Sequence, residues 1–390
     1  MAPSGAASLG VAMKTLYLTK HADPTDLSSY QTAAQTAALL PYENFFINGG
    51  FEHWQRSTSL TSISSNTETW AADRFYCLEF TDAVCDINKR TLSPTAGYPF
   101  LNYIEMSCTT ADAAVDASHF SWIGYKVEGR DIVSWEMGAS GNTKSFTIGF
   151  WHKHTVTGTY CVAVENNALN RSYVTEYTQS VADTWEYATV TIPCDTSGTW
   201  LTAAGVIGAY IYFTASCGAN GQQTADTWAA ADAQGTSNQA NAWDTIGNKF
   251  CLANVQGTLT DSIVPWNPRP YAQERALCQR YAESSYDDGT ALGTVTNNGM
   301  SWHYITDLGT SAVHIIGKDI RFKVSKAASP TLTFYSPATG TSGKARDFLG
   351  TADVTPTGST GLEACRWNAS GNGAAVNINM GLHYFADAEL

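Results

Sequence analysis

The sequence predicts an all-β protein: two antiparallel β-sandwich domains of jelly-roll type, joined by a short helix and preceded by a small N-terminal anchor segment. Three observations predict it. Thr, Ser and Gly interleave with aromatic residues throughout, with 32 Gly, 19 Tyr and 12 Trp among 390 residues, which is the composition of turn-rich antiparallel sheet. Short apolar runs recur between Gly/Ser/Asn turns, and some alternate strictly, as where Phe146, Ile148 and Phe150 alternate with Thr147 and Gly149. One of the few stretches with convincing helical spacing lies near residue 270, between two long strand-rich regions.

Residues 1–40 differ from the rest. The first eleven are rich in Ala, Gly and Ser, residues 14–19 suit one short strand, and Pro24 and Asp26 suit the start of an Ala-rich helix reaching Leu40. Such a segment cannot build a core of its own. It is either a flexible leader or an anchor that orders on a larger assembly.

The large sandwich is expected over residues 41–266. Its strand candidates are 103–107, 121–127, 145–154, 159–165, 187–192 and 207–214, spaced as a two-sheet sandwich requires. Residues 215–248 are rich in Ala, Gln, Asn and Thr and read as a long surface excursion. Trp228 and Trp243 sit in that polar stretch. They are the candidate glycan-binding residues, because an exposed indole can stack on a sugar ring; the alternative is that they anchor the loop to the sandwich or to a neighbouring subunit. Trp54, Trp70, Trp122 and Trp151 read as core.

The linking helix is expected within residues 267–283. Pro270 suits the first helical position, and Leu277, Cys278 and Tyr281 then share one side. A helix of about a dozen residues is marginal alone, so this face should act as a clamp, between domains or at an oligomer axis. The small C-terminal sandwich follows over residues 284–390, with strand candidates at 301–305, 312–316, 320–324, 331–335, 361–367 and 381–385.

Composition excludes several functions. Thirty-five acidic against 22 basic side chains give a net charge of −13, which argues against nucleic acid or an anionic membrane as partner. No apolar run approaches a membrane span, and none near the start suits a secretory signal, so synthesis in a cytoplasm is expected, whatever the final address. The nine cysteines include no C-x-x-C pair and read mostly as reduced, small, buried residues. His152 and His154 would share one strand face, but with no third ligand in view they read as a surface pair rather than a metal site. Asp287-Asp288-Gly289 reads as a turn. No G-x-S-x-G elbow or phosphate-binding loop is present. No catalytic residue, metal ligand or cofactor is therefore assigned.

Three segments carry a family resemblance. Asn44-Phe45-Phe46-Ile47-Asn48-Gly49-Gly50-Phe51-Glu52-His53-Trp54-Gln55-Arg56, then Trp70-Ala71-Ala72-Asp73-Arg74-Phe75, resemble the opening of a jelly-roll module found in tail-fibre and virion-appendage proteins of tailed bacteriophages. Residues 266–281, from Trp266-Asn267-Pro268-Arg269-Pro270-Tyr271 to Tyr281, resemble its closing segment, with Glu274-Arg275 where the usual form has Glu-Leu. The ending Phe385-Ala386-Asp387-Ala388-Glu389-Leu390 resembles the terminus of such proteins. The resemblance implies a sandwich similar to carbohydrate-binding ones, a homotrimer, and a place on the virion as a fibre or spike that binds host-surface polysaccharide without catalysis. Residues 1–40 would dock on other virion proteins, and no nucleic acid or membrane insertion is implied. A capsid or tail decoration protein and a glycan depolymerase are the alternatives. Phe51, Trp54 and Phe75 are expected in the core, and Arg56, Asp73 and Arg74 in a buried or strand-edge ion pair. The Leu277/Cys278/Tyr281 face is expected at a threefold axis.

Overall fold

Alternating apolar residues need two facing sheets to bury them, and the strands between residues 59 and 258 supply both. The computed structural model describes residues 44–64, 66–263, 266–306, 315–370 and 377–390. The strand and helix expected within residues 1–40, and the start of the strand expected at 312–316, lie outside the described residues. In chain order the strands are β1 (Ser59–Ile63), β2 (Thr69–Trp70), β3 (Phe75–Phe80), β4 (Val84–Thr91), β5 (Asn102–Thr110), β6 (Phe120–Glu128), β7 (Ser145–His154), β8 (Gly158–Asn166), β9 (Ser172–Gln179), β10 (Glu186–Pro193), β11 (Ile207–Cys217), β12 (Trp228–Ala229) and β13 (Lys249–Thr258). They build a six-stranded sheet, β1-β4-β5-β13-β7-β10, and a seven-stranded sheet, β12-β9-β8-β11-β6-β3-β2. Every pairing is antiparallel, as the fold class requires.

The core lies between these sheets. Phe75, Ile123, Tyr125, Val162, Ile211 and Phe213 meet Ile87, Ile104, Met106, Ile148, Phe150 and Leu252 across it. Phe51 and Trp54 join them, as expected. His152 and His154 prolong the inward row of Phe146, Ile148 and Phe150, so they are buried rather than a surface pair. The His154 ring stacks on Phe250 at 4.0 Å, and its Nε2 lies 3.0 Å from the Tyr177 hydroxyl. His152 Nδ1 lies 2.8 Å from Gln179 Oε1. Burial lowers both imidazole pKa values, that of His154 far below the ordinary range. All nine cysteines are buried and free.

The C-terminal strands are β14 (Ala282–Ser284), β15 (Ser301–Ile305), β16 (Ile315–Arg321), β17 (Thr331–Tyr335), β18 (Ala345–Asp347), β19 (Ala352–Val354), β20 (Thr357–Thr360), β21 (Ala364–Ser370) and β22 (Ile378–Asp387). β22 is the spine: its first half pairs with β15 and β18, its second half with β14 and β17. A three-stranded sheet, β16-β21-β20, completes the layers, and Phe334, Trp367, Met380, Leu382 and Tyr384 form their core.

The linking helix is α1 (Tyr271–Gln279). Pro270 caps it from outside rather than opening it, its carbonyl accepting the N–H groups of Gln273 and Glu274 at 2.9 and 3.1 Å. Cys278 and Tyr281 are buried within the chain against Ile47, Ala327 and Leu390, with Leu277 packed beside them. That corrects the expected threefold contact, because Cys278 and Tyr281 have no surface left for an axis. The clamp closes inside one chain.

Charges fix this joint. Arg269 bonds to Glu274 at 3.0 Å and to the carbonyls of Phe46, at 3.1 Å, and Asn44, while Glu274 accepts the Asn48 N–H, so the opening and closing motifs lock together. Arg74 lies over the Tyr281 ring at 3.5 Å and pairs with Glu389, not with Asp73 as the expected grouping implied. Arg56 lies 3.9 Å from Asp73 and 2.9 Å from Asp387. Arg280 bonds to Glu128 at 2.6 Å, and Lys326 to Glu283 at 2.6 Å with both side chains fully buried. Asn48, Phe51 and Arg74 adopt left-handed φ of 62°, 53° and 72°. Each costs about 1–2 kcal/mol, which the surrounding bonds offset. Gly49 is required next to them, because a Cβ there would lie 1.9 Å from the Val255 carbonyl oxygen.

Candidate functional site: an aromatic cleft on the seven-stranded sheet

Strand alternation that sends Phe75, Ile123 and Phe213 inward sends their neighbours outward. On the outer face the register sets Lys126, Tyr210 and Glu165 in one row across β6, β11 and β8. The next row holds Tyr76, Gly124, Tyr212 and Ala163. Gly124 makes room for its neighbour, since a Cβ there would meet the Tyr76 ring at 2.4 Å. The excursion at residues 215–248 folds over part of this face. Ala233, with Ala231 partly buried beside it, covers Cys161, Ala163 and Val174, and the Thr214 hydroxyl donates to the Gln234 carbonyl at 2.6 Å.

What the excursion leaves open is a cleft of about 350 Å³. Its floor is aromatic: Tyr76, Phe120, Trp122, Tyr210 and Tyr212. Phe120 stacks on Trp122 at 4.7 Å, Trp122 meets Tyr212 at 4.5 Å, and Tyr210 stacks on Tyr212 at 5.8 Å. Its polar rim comprises Asn66, Glu68, Glu165, Asn220, Asp232 and Gln234. Burial raises the pKa of the Tyr76 and Tyr212 hydroxyls well above the ordinary value, so both remain protonated.

The two ends of the cleft differ in charge. Beside one end, next to the rim residue Glu68, the Lys126 ammonium bonds to that carboxyl at 2.7 Å and lies over the rings of Trp70, Tyr76 and Tyr210 at 5.3, 5.3 and 5.9 Å. At the other end Gln234 Nε2 donates to Glu165 Oε1 at 2.9 Å and also to Asp232. Glu165 is fully buried, and its Oε2 accepts no hydrogen bond of ordinary geometry. Burial first, then the Asp232 charge, pushes the Glu165 pKa up to about 9, with the nearby Tyr212 hydroxyl and Ala233 N–H opposing weakly. No Lys or Arg among the described residues pairs with either carboxyl.

The residues singled out from sequence lie elsewhere. Trp243 is fully buried, its ring 6.5 Å from Phe250, so it has no face to offer a sugar. Trp228 is half-buried and occupied: its Nε1 donates to the Pro193 carbonyl at 2.8 Å, and its ring meets Tyr173, Trp200 and the Arg171 guanidinium. Neither borders the cleft. Leu277, Cys278 and Tyr281 belong to the joint. Trp122, expected in the main core, is on the outer face instead, as is the half-buried Trp70, while Trp151 packs with Phe100 and Trp185 on the outer side of the other sheet. The missed signal is the run Tyr210-Ile211-Tyr212-Phe213, which is apolar at every position. A strand apolar on both faces is covered on both, and its outer aromatics, Tyr210 and Tyr212, form the cleft floor.

No protein-family model and no curated protein sequence matches the chain. Among solved structures it is similar to the enzymatically active domain of tailspike protein 4 of bacteriophage CBA120, at 13% identity and a TM-score of 0.29 over 56% of this chain and 22% of that one. It is also similar to a family 61 carbohydrate-binding module (TmCBM61) in complex with a galactotriose, at 11% identity and a TM-score of 0.26 over 56% of this chain and 99% of that one. A third is the family 11 carbohydrate-binding module of a Clostridium thermocellum cellulase, at 10% identity and a TM-score of 0.26 over 54% of this chain and 100% of that one. The chain thus matches about a fifth of the tailspike domain's length.

Proposed function

We propose that the cleft binds a glycan of a host cell surface, and that the protein is a non-catalytic fibre- or spike-type appendage of a phage particle. The observation that carries the binding reading is the pairing of an aromatic floor with a polar rim. Sugar rings present apolar C–H faces that stack on Trp and Tyr, while their hydroxyls need carboxylates and amides at the side. The floor of Tyr210, Tyr212 and Trp122 beside Glu165, Asp232 and Gln234 supplies both.

Binding without cleavage is favoured by how the carboxyls are engaged. Glycosidases set two working carboxyl groups on either side of the scissile bond, whereas Glu165 and Asp232 both bond to one amide nitrogen and so share one wall, and Glu68, at the opposite end, is held by the Lys126 ammonium. The virion role rests on the sequence resemblance and includes a homotrimer whose contact lies away from the Leu277/Cys278/Tyr281 face.

The test is binding of the whole protein to immobilised host-surface polysaccharides, beside a Tyr210→Ala variant. Retention lost in the variant supports the cleft, and equal retention removes it as the site. Reducing-sugar release would turn the reading to a depolymerase. Antibody label spread over the capsid or tail tube, instead of the distal fibres, would favour a decoration protein.

A further inference from the structure

Resting on the glycan-binding reading of this cleft, we propose that its ligand is an amino sugar with a free, protonated amine, seated between the Glu165 and Asp232 carboxyls and the ring of Tyr210. A precedent stands beside the cleft. Behind its Glu68 end an ammonium, that of Lys126, bonds to the Glu68 carboxylate and the Leu390 carbonyl while resting on three aromatic rings. Tyr210 stands in the middle of the same cross-strand row, with Glu165 on its other side. Lys126 and Glu165 are two strand spacings apart, roughly 10 Å, so the lysine cannot serve both. The Glu165 end therefore has the rings and the carboxyls but no cation, and its Oε2 is buried without a donor at bonding geometry.

Chemistry favours an ammonium over a hydroxyl in that place. A hydroxyl can bond to the protonated Glu165 carboxyl without changing its charge, and it leaves the Asp232 carboxylate without a cation. An ammonium brings up to three donors and a positive charge, and it is attracted to a ring face as well. In the empty cleft near neutral pH, Glu165 holds its proton. On binding, the ammonium keeps its three N–H bonds, the Glu165 carboxyl becomes a carboxylate that accepts one of them, and the displaced proton passes to the buffer. An N-acetylated or neutral sugar brings no charge and displaces no proton.

The experiment is titration calorimetry of the full chain at about pH 6 in two buffers of different protonation enthalpy. The probes are three hexasaccharides of one backbone, bearing hydroxyl, acetamido or free amino groups, and lysine amide. The amino oligomer is expected to bind at least about tenfold more tightly than the other two and to release close to one proton. Glu165→Gln should abolish both the preference and the release while keeping the weaker binding common to all three. Neutral oligomers binding as tightly as the amino one, or no proton release, would overturn this inference and leave the glycan reading standing. Failure of every oligomer and of the immobilised polysaccharides would remove that reading and this one together. Lysine amide matching the amino oligomer would overturn the sugar assignment in favour of a peptide side chain.

Discussion

The joint around α1 and the cleft on the seven-stranded sheet are made of the same parts, aromatic rings and carboxyl groups, and they treat charge in opposite ways. At the joint Glu128, Glu274, Glu283 and Glu389 each face a cation, from Arg280, Arg269, Lys326 and Arg74. Although burial opposes ionisation of Glu128, bonds from Arg280, the Tyr281 hydroxyl and the Gly205 N–H outweigh it and hold the carboxyl down at about 2. At the cleft Glu165 and Asp232 face no cation, and the Glu165 carboxyl rises to about 9. A buried carboxylate paired within the chain belongs to the fold, whereas a carboxyl kept protonated by burial at the wall of a cleft marks a place where a ligand can act.

Removing a cation from the joint should therefore produce the largest effect. Arg74→Ala leaves Glu389 buried with the 3.6 Å contact to Arg56 as its nearest charge and the 3.3 Å bond from the backbone N–H of residue 74, and it opens a cavity under the Tyr281 ring. A loss of about 3–5 kcal/mol is expected, since breaking one side of a buried pair strands the other. It would be read as a lower urea midpoint at unchanged slope. A shift below about 1 kcal/mol would mean that the pair behaves as a surface bridge, and the contrast between the two regions would fail at its stronger end.

Glu128 carries the acid dependence of the joint. Its folded pKa lies below the unfolded value, so its stabilisation is present above about pH 4.5 and is lost as pH falls towards about 2. That interval corresponds to about 3 kcal/mol. Glu128→Gln should cost up to that amount near neutral pH and flatten the acid limb of the stability curve. An unchanged acid limb in the variant would assign it to other carboxylates.

The motifs that meet at the joint were legible in the sequence, but their ion pairs and their closure within one chain were not, and neither was the cleft. Asn44–Arg56 and Pro268–Tyr281 stand out because Gly49, Pro270 and the paired Arg and Glu residues have backbone or charge requirements that few residues meet. The strands β7, β15 and β17 match their expected spans because turns and alternation delimit them. What failed was any feature that depends on which face a strand shows. Trp122 sits in an apolar strand run and Trp243 in a polar stretch, yet the first lines the cleft and the second fills the core. The Ala-rich excursion gave no sign that residues 232–234 return to the sheet and place Asp232 and Gln234 beside Glu165. His152 and His154 were misassigned for the same reason, since alternation fixes that they share a face but not that the face is the core.

The smallest expected effect is the sharpest test of the contrast, because the sign reverses. Glu165 has a folded pKa above its unfolded one, so the native state holds a proton that the unfolded chain has released, and stability falls as pH rises from about 4.5 through about 9. Glu79, buried and raised to about 7 despite bonds from Ser121, Thr81 and Cys85, adds the same sign below that value. The buried histidines oppose both below about pH 6.5, and the buried thiols add a falling contribution towards the ordinary cysteine range. Between about pH 7 and 8 Glu165 contributes a slope near 1.4 kcal/mol per pH unit, and the nine buried thiols, which begin to ionise in the unfolded chain, together add a falling slope of comparable size. Glu165→Gln should therefore reduce the slope by about 1.4 kcal/mol per pH unit without abolishing it, measured as urea midpoints at the two pH values, while Glu128→Gln leaves it alone. If the slope is the same in Glu165→Gln, the cleft carboxyl is ionised in the folded protein and has a partner after all, and the two regions would handle charge alike. If it falls by that amount, the carboxyl held protonated in the folded protein is Glu165, and its proton is what a cationic ligand would displace.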